Sequence, residues 1–263
     1  MMLSKHHDYQ QEVCDFLADY AAVLLGCGAT CIRIHKNVMR IAQALDVTCN
    51  LVVLPSNIIL TLNHTQDDQT VTCQSMRPIR HTGINYEINT NLSKLSWDVF
   101  EKRITIKEAQ KRFTEILNRP RISPYIVLVL ASAANASFCR LFGGDAASMA
   151  LVFFATLVGF RLKQVMLNDH IDVRLTMIAS AFFAAVIGAG GYVFNIGSTP
   201  ELALGTSVLF LIPGIPYINA TSDLLDGHYL CSFARFLDAA TLTACISLGL
   251  CGSLLLLHLK WLF

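Results

Sequence analysis

From Pro124 to Leu257 the chain runs through five apolar segments in series, at about 124–142, 146–160, 175–196, 202–220 and 236–257. A helix needs about 20 residues, at about 1.5 Å each, to cross about 30 Å of hydrocarbon. The third and fifth segments reach that length easily. The first and fourth suffice if their Ser, Asn and Pro positions face protein. The second is short, which predicts local thinning or a partly re-entrant path. A buried soluble core could account for one such segment but not for five, so the chain reads as an α-helical polytopic membrane protein.

Charge places the boundary. Met1–Arg121 holds 14 Lys/Arg and 12 Asp/Glu, against 6 and 7 in Ile122–Phe263. The expected organisation is a cytosolic α+β domain over 1–121 and a transmembrane domain over 122–263. The net charge is +1, and no basic arm or stripe predicts a nucleic-acid partner. Met1–Gln11 is polar and the run Tyr20–Leu25 is short and internal, so no cleaved signal is expected and the first domain should stay in the cytosol. Its five cysteines form neither a regular framework nor two ligand pairs, which predicts reduced packing residues without disulfide, metal or other cofactor. Lys/Arg in the short loops then orient the spans. Lys111, Arg112, Arg119, Arg121, Arg161, Lys163, Arg174 and Arg235 fall on the N-terminal side, and Arg140 and Lys260 fall opposite. The expected location is the cell membrane, with the C-terminus outside.

In the first domain, Val13, Phe16, Leu17, Tyr20 and Leu24 recur at three-and-four spacing and predict one buried helical stripe. Gly26 and Gly28 end it. A second helix is expected over about Ala29–Leu45, then a hairpin pairing Leu51–Leu62 with Thr70–Met76 across the polar turn Thr65–Gln69. Thr105 and Glu108 form a capping box ahead of the last helix. No nucleophile elbow, P-loop, zinc helix or dinucleotide fingerprint is present. His35, His64 and His81 are isolated and read as exposed polar residues. Arg33 is the most suggestive polar position here, with a surface salt bridge as its plainer role.

The second domain holds residues that a lipid-facing helix would not. Pro213-Gly214-Ile215-Pro216 lies late in the fourth segment, where prolines remove amide donors and interrupt the ladder. Irregular backbone at membrane depth persists only against protein or a watery cavity, as in transporter sites. Asn219, Asp223, Asp226, His228, Arg235 and Asp238 follow. Ionisable residues near a span are costly and default to functional candidates, although a polar loop accounts for Asp226. Asn135 is explained by an interhelical hydrogen bond. Ala181, Ala185 and Ala189, with Cys245, Gly249 and Ser253, form small-residue faces for helix contact.

The pattern Leu-Leu-x-x-Gly-Ala-x-x-x-Arg over Leu24–Arg33 and the stretch Ile-Pro-Gly-Ile-Pro-x-x-Asn-Ala-x-x-Asp-x-x-x-Gly-His over Ile212–His228, with Arg235, resemble the threonine/serine exporter family. The nearer likeness is to its YjjP-type branch, which corresponds to the N-terminal half of full-length members. The resemblance implies export of small polar metabolites, threonine and serine or a C4-dicarboxylate such as succinate. It also implies a separate small membrane subunit of the YjjB type. The family pattern has Glu directly after Gly-Ala, where this chain has Thr30, so no role of that glutamate carries over. On this reading Pro213, Gly214, Pro216, Asn219, Asp223, His228 and Arg235 line the substrate path, Gly28 and Arg33 mark the soluble-domain motif, and there is no catalytic residue. Two other classes stay open: a membrane-anchored hydrolase, which would need a nucleophile–base pair, and a non-transporting scaffold subunit.

Overall fold

Apolar periodicity and turn residues divide the chain into two units. The computed structural model describes residues 2–66, 69–80, 83–120 and 122–257. The first unit comprises Met1–Pro120 with Ile215–Phe236, and the second Arg121–Gly214 with Leu237–Phe263. The segment 215–236, expected as the end of a span and a cytosolic loop, thus groups with the N-terminal residues.

In the first unit, α1 (Met2–Gly26) is followed by α2 (Cys31–Ala44), β1 (Thr48–Val53), β2 (Asn57–Gln66), β3 (Gln69–Pro78), α3 (Tyr86–Phe100) and α4 (Ile106–Leu117). The predicted stripe of α1 is buried throughout, and the Tyr20 hydroxyl donates to the Leu92 carbonyl at 2.7 Å. The strands form an antiparallel sheet in the order β1-β2-β3. Sequence reading expected one long segment where the structure has two strands. Leu54, Pro55 and Ser56 break it, because Pro55 cannot donate to a ladder. Thr105 caps α4 as predicted, accepting from the Glu108 amide at 3.3 Å. Residues 67 and 68 of the expected turn, and His81, lie outside the described residues.

The second unit contains α5 (Pro124–Leu141), α6 (Ala146–Asn168), α7 (Val173–Gly188), the short α8 (Gly190–Val193) and α9 (Pro200–Thr206), which continues into one 3-10 turn (Leu209–Leu211). Two further helices, α10 (Gly214–Leu225) and α11 (Tyr229–Leu256), straddle the division between units. Among the described residues four helices are long and apolar enough to cross a membrane, or five if the bent pair Pro200–Leu211 and Gly214–Leu225 is one span. The expected short second segment is corrected. α6 runs 23 residues and continues past Arg161 and Lys163, because Arg and Lys are good helix formers whose stems can extend toward water. The fifth segment likewise begins seven residues earlier than expected, at Tyr229.

Small faces hold the second unit together. Ala181, Ala185 and Cys245 share one buried cluster, and a Cβ on Gly249 would collide with the Ile178 carbonyl of α7. Asn135 of α5 donates to the Thr156 hydroxyl of α6 at 2.7 Å and to the Thr206 carbonyl of α9 at 3.0 Å. The second bond satisfies a carbonyl at the end of α9, which its own helix no longer pairs.

Candidate functional site

The site begins with how α1 ends. Gly28 has φ +84°, the Gly28 amide bonds to the Leu25 carbonyl at 3.0 Å and the Ala29 amide to the Leu24 carbonyl at 3.0 Å. This is a Schellman termination, in which glycine takes the left-handed conformation without a Cβ penalty. The chain then turns through Thr30 into α2. Thr30 stands at the N-cap of α2 but its side chain caps nothing, and no acidic residue lies in the first turn. That helix start needs acceptors for its amides, and a negative charge there is favoured by the helix dipole.

A residue far along the chain supplies both. The Cys31 amide donates to Asp223 Oδ1 at 2.8 Å. Asp223 is fully buried. Its other oxygen, Oδ2, lies 3.1 Å from Arg235 Nη1. That is an ion-pair distance, but neither Oδ2 nor Nη1 completes a directed hydrogen bond. Arg235 instead directs Nη2 at the Ala29 carbonyl, at 2.6 Å, while Asn219 Nδ2 donates to the Gly28 carbonyl at 2.8 Å. Three side chains therefore clamp the four-residue segment Gly28–Cys31.

Helical spacing explains why these residues converge. Asn219 and Asp223 are four apart on α10, and Cys231 and Arg235 four apart on α11, so each pair shares one face. The Ser232 hydroxyl joins the two helices through the Ala220 carbonyl at 2.7 Å, and the Tyr217 and Phe236 rings meet edge-on at 5.8 Å. The turn between them is a second Schellman end. Gly227 has φ +81°, its amide bonds to the Leu224 carbonyl at 3.2 Å, and the His228 amide to the Asp223 carbonyl at 2.8 Å.

Of the candidates read from sequence, Gly28, Asn219, Asp223 and Arg235 come together. His228 adjoins them through its backbone and is half-buried. Pro213 is buried just ahead of α10, Gly214 opens that helix and Pro216 lies in its first turn. The interruption falls at Ile212 and Pro213, whereas Pro216 starts a helix, because the first-turn amides have no ladder partner to lose. Arg33 is outside the clamp, donating to Asn89 Oδ1 at 3.2 Å, and His35 is exposed. Sequence reading missed Ala29, Cys31, Cys231 and Ser232. Only the four-residue spacing of Cys231 and Arg235 hinted at one of them.

A groove of about 530 Å³ between α10 and α11 is lined by Ala220, Thr221, Leu224, Tyr229, Ser232, Phe233 and Phe236. It carries no charged side chain. Among the described residues no cluster of His, Cys, Asp or Glu could hold a metal ion.

The threonine/serine exporter family model, ThrE, matches residues 15–257. The chain belongs to the threonine/serine exporter family. It is a multi-pass membrane protein of a transport family. The chain is 28% identical over 245 residues to the "Probable succinate transporter subunit YjjP" of Klebsiella aerogenes, covering 91% of this chain and 92% of that one. The protein of the same name from Escherichia coli K12 is also 28% identical, over 90% and 91% of the two chains. A "Probable threonine/serine exporter" of Mycobacterium tuberculosis is 25% identical over 94% of this chain but only 46% of its own length. No solved structure matches. The Pro-Gly-Ile-Pro to Gly-His stretch, on which the sequence resemblance rests, has a definite place in this molecule: it builds α10, the turn after it, and the acidic half of the clamp.

Proposed function

We propose that this chain exports small polar metabolites, threonine and serine or a C4-dicarboxylate such as succinate, as one subunit of a two-component secondary exporter. The observation that carries the reading is the pair of the buried Asp223 with the half-buried Arg235, in which the atoms facing each other lack directed hydrogen bonds. A guanidinium suits the carboxylate that all these substrates share. In the closed arrangement Asp223 occupies Arg235. A proton on Asp223 neutralises it and frees Arg235 for the substrate carboxylate, so the Asp223 carboxylate and the substrate carboxylate compete for one guanidinium. Asn219 and His228 supply polar contacts beside it. Pro213, Gly214 and Pro216 set the break ahead of α10 and its start, where the helix ladder has not yet begun.

The substrate classes rest on the relatives' names, which cite succinate in one case and threonine and serine in another. The relative matched over less than half its length contains a second portion, and a relative matched end to end is named as a subunit. Both support a separate partner, a small polytopic subunit of the YjjB type. Residues 1–121 lie on the cytosolic side, and the five segments cross the inner or plasma membrane.

The test is efflux of preloaded threonine, serine or succinate from cells expressing the chain alone and with the partner. Export is expected only with the partner, and full export from the purified chain in vesicles would refute the two-component arrangement. Orientation is checked by reporters. One placed at His170, between α6 and α7, should report cytosol, and one after Phe263 should report the outer face. A cytosolic C-terminal reporter would overturn the five-crossing topology.

A further inference from the structure

Beside the clamp lie two thiols that the transport reading does not use. Cys31 opens α2 and is fully buried; Cys231 sits in the first turn of α11 and is 3% exposed. They are 200 positions apart in sequence, but their side chains are close enough to interact directly. Independent contacts fix the same juxtaposition. The Cys31 amide is held by Asp223, and Arg235, one turn beyond Cys231 on the same face, reaches the Ala29 carbonyl two residues before Cys31. Cys231 Sγ itself donates to the Val53 carbonyl at 3.4 Å. By contrast, the Cys14 thiol is directed at the Leu60 and Cys73 carbonyls.

We propose that Cys31 and Cys231 form a reversible thiol–disulfide site that staples the α10–α11 turn to the Gly28–Cys31 segment. The oxidant is a small-molecule disulfide of the glutathione class. In balance, one such disulfide takes up the hydrogens of both protein thiols: its S–S bond breaks, the Cys31–Cys231 S–S bond forms, and two small thiols leave. Cytosolic disulfides of this kind are transient and regulatory rather than structural.

Burial makes the site conditional. The interaction with Cys231, desolvation and the nearby Asp223 charge all hold the Cys31 thiol well above the ordinary thiol range. A thiol must ionise to attack, so Cys31 is inert while the clamp is closed. Lifting of the turn exposes both sulfurs and removes Asp223 from Cys31. The oxidant therefore captures the pair as it opens and closes again, and the disulfide locks the closed form.

The test uses the full chain in membrane vesicles, treated with the membrane-permeable disulfide 2,2′-dithiodipyridine, alkylated and digested for mass spectrometry. The exposed Cys251 serves as the control for reagent access. A peptide joining Cys31 to Cys231 is expected, with two thiopyridones released per link. Dithiothreitol should reverse it, and hydrogen exchange across 28–34 and 215–235 should slow in the linked form. Recovery of both thiols reduced while Cys251 reacts would overturn the proposal, as would linkage without slower exchange. Cys31→Ser and Cys231→Ser should each abolish the link. On the transport reading the staple also stops efflux in the wild type alone; because linkage is read by mass, failure of either reading is told apart from failure of the other.

Discussion

Two buried polar constellations organise the two units, and they differ in a way that separates support from function. In the second unit Asn135 is neutral and answers an unpaired carbonyl at the end of α9. It does what an interrupted helix at membrane depth requires and nothing more. In the first unit the needs are equally modest: the amide of Cys31 and the carbonyls of Gly28 and Ala29. Neutral side chains would satisfy all three. The chain instead buries a carboxylate against a half-buried guanidinium, although burying a charge pair often contributes less than apolar packing of the same volume. The excess of charge over structural need is what supports the role proposed for the clamp.

The largest effect should come from removing that charge. Asp223→Asn keeps the shape and an acceptor for the Cys31 amide but leaves the half-buried Arg235 without its counter-ion. Removing one partner of a buried pair costs about 3–5 kcal/mol, so efflux must be normalised to protein in the membrane. Normalised export is expected to fall about tenfold or more, since one lost charge-assisted contact of about 1.4 kcal/mol already accounts for that factor. Arg235→Lys should also be harmful, because an ammonium lacks the planar fork that fits a carboxylate. Asp226→Asn, three positions on in an exposed turn, should be tolerated. The double change Asp223→Asn with Arg235→Gln sharpens the comparison. It should restore abundance but not export, whereas a purely structural pair would regain both.

A smaller effect is expected at the neutral node. Asn135→Leu removes two hydrogen bonds and leaves the Thr206 carbonyl unanswered, for a loss of about 1–3 kcal/mol. Thermal unfolding in detergent should shift down, while export per folded molecule stays near wild type. Export lost without a stability change would make Asn135 part of the path and remove the distinction between the two constellations.

How much of this could be read from residues alone depended on range. The stripe of α1, the Thr105 cap and the small faces are local patterns, and each has the place that its spacing predicts. The break at Pro213 was legible for the same reason, since proline acts through its own backbone. Other features were not local. By hydropathy the second apolar segment ends at Phe160, but hydropathy stops at a charge and helix propensity does not. Asp223 was singled out as an ionisable residue near a span, but its partners, the Cys31 amide and Arg235, come from the start of α2 and from a helix expected to begin only at Phe236. Cys31 reads as a small packing residue, nothing in the sequence singles out Cys231, and no spacing rule connects positions 200 apart.

The finest test compares the two glycine-terminated turns, which share one backbone geometry. Gly28 and Gly227 both stand just past a helix end with φ near the left-handed region, +84° and +81°. Alanine at either position pays the same conformational penalty, about 1 kcal/mol. Their surroundings differ. A Cβ on Gly28 would meet Ile84 Cγ1 at 3.1 Å, while one on Gly227 would meet nothing within 4 Å. The Gly28 carbonyl is also the atom that Asn219 holds. Gly227→Ala should therefore lower the unfolding temperature slightly and leave normalised export unchanged. Gly28→Ala should lower stability somewhat more and shift the carbonyls that Asn219 and Arg235 hold, reducing export about two- to fivefold, which corresponds to well under 1.4 kcal/mol. The measurements are thermal unfolding and efflux with the partner present. If the two variants reduce export equally, backbone strain alone explains the loss and the Gly28–Cys31 segment has no special role. If only Gly28→Ala does, the effect follows the clamp and not the turn.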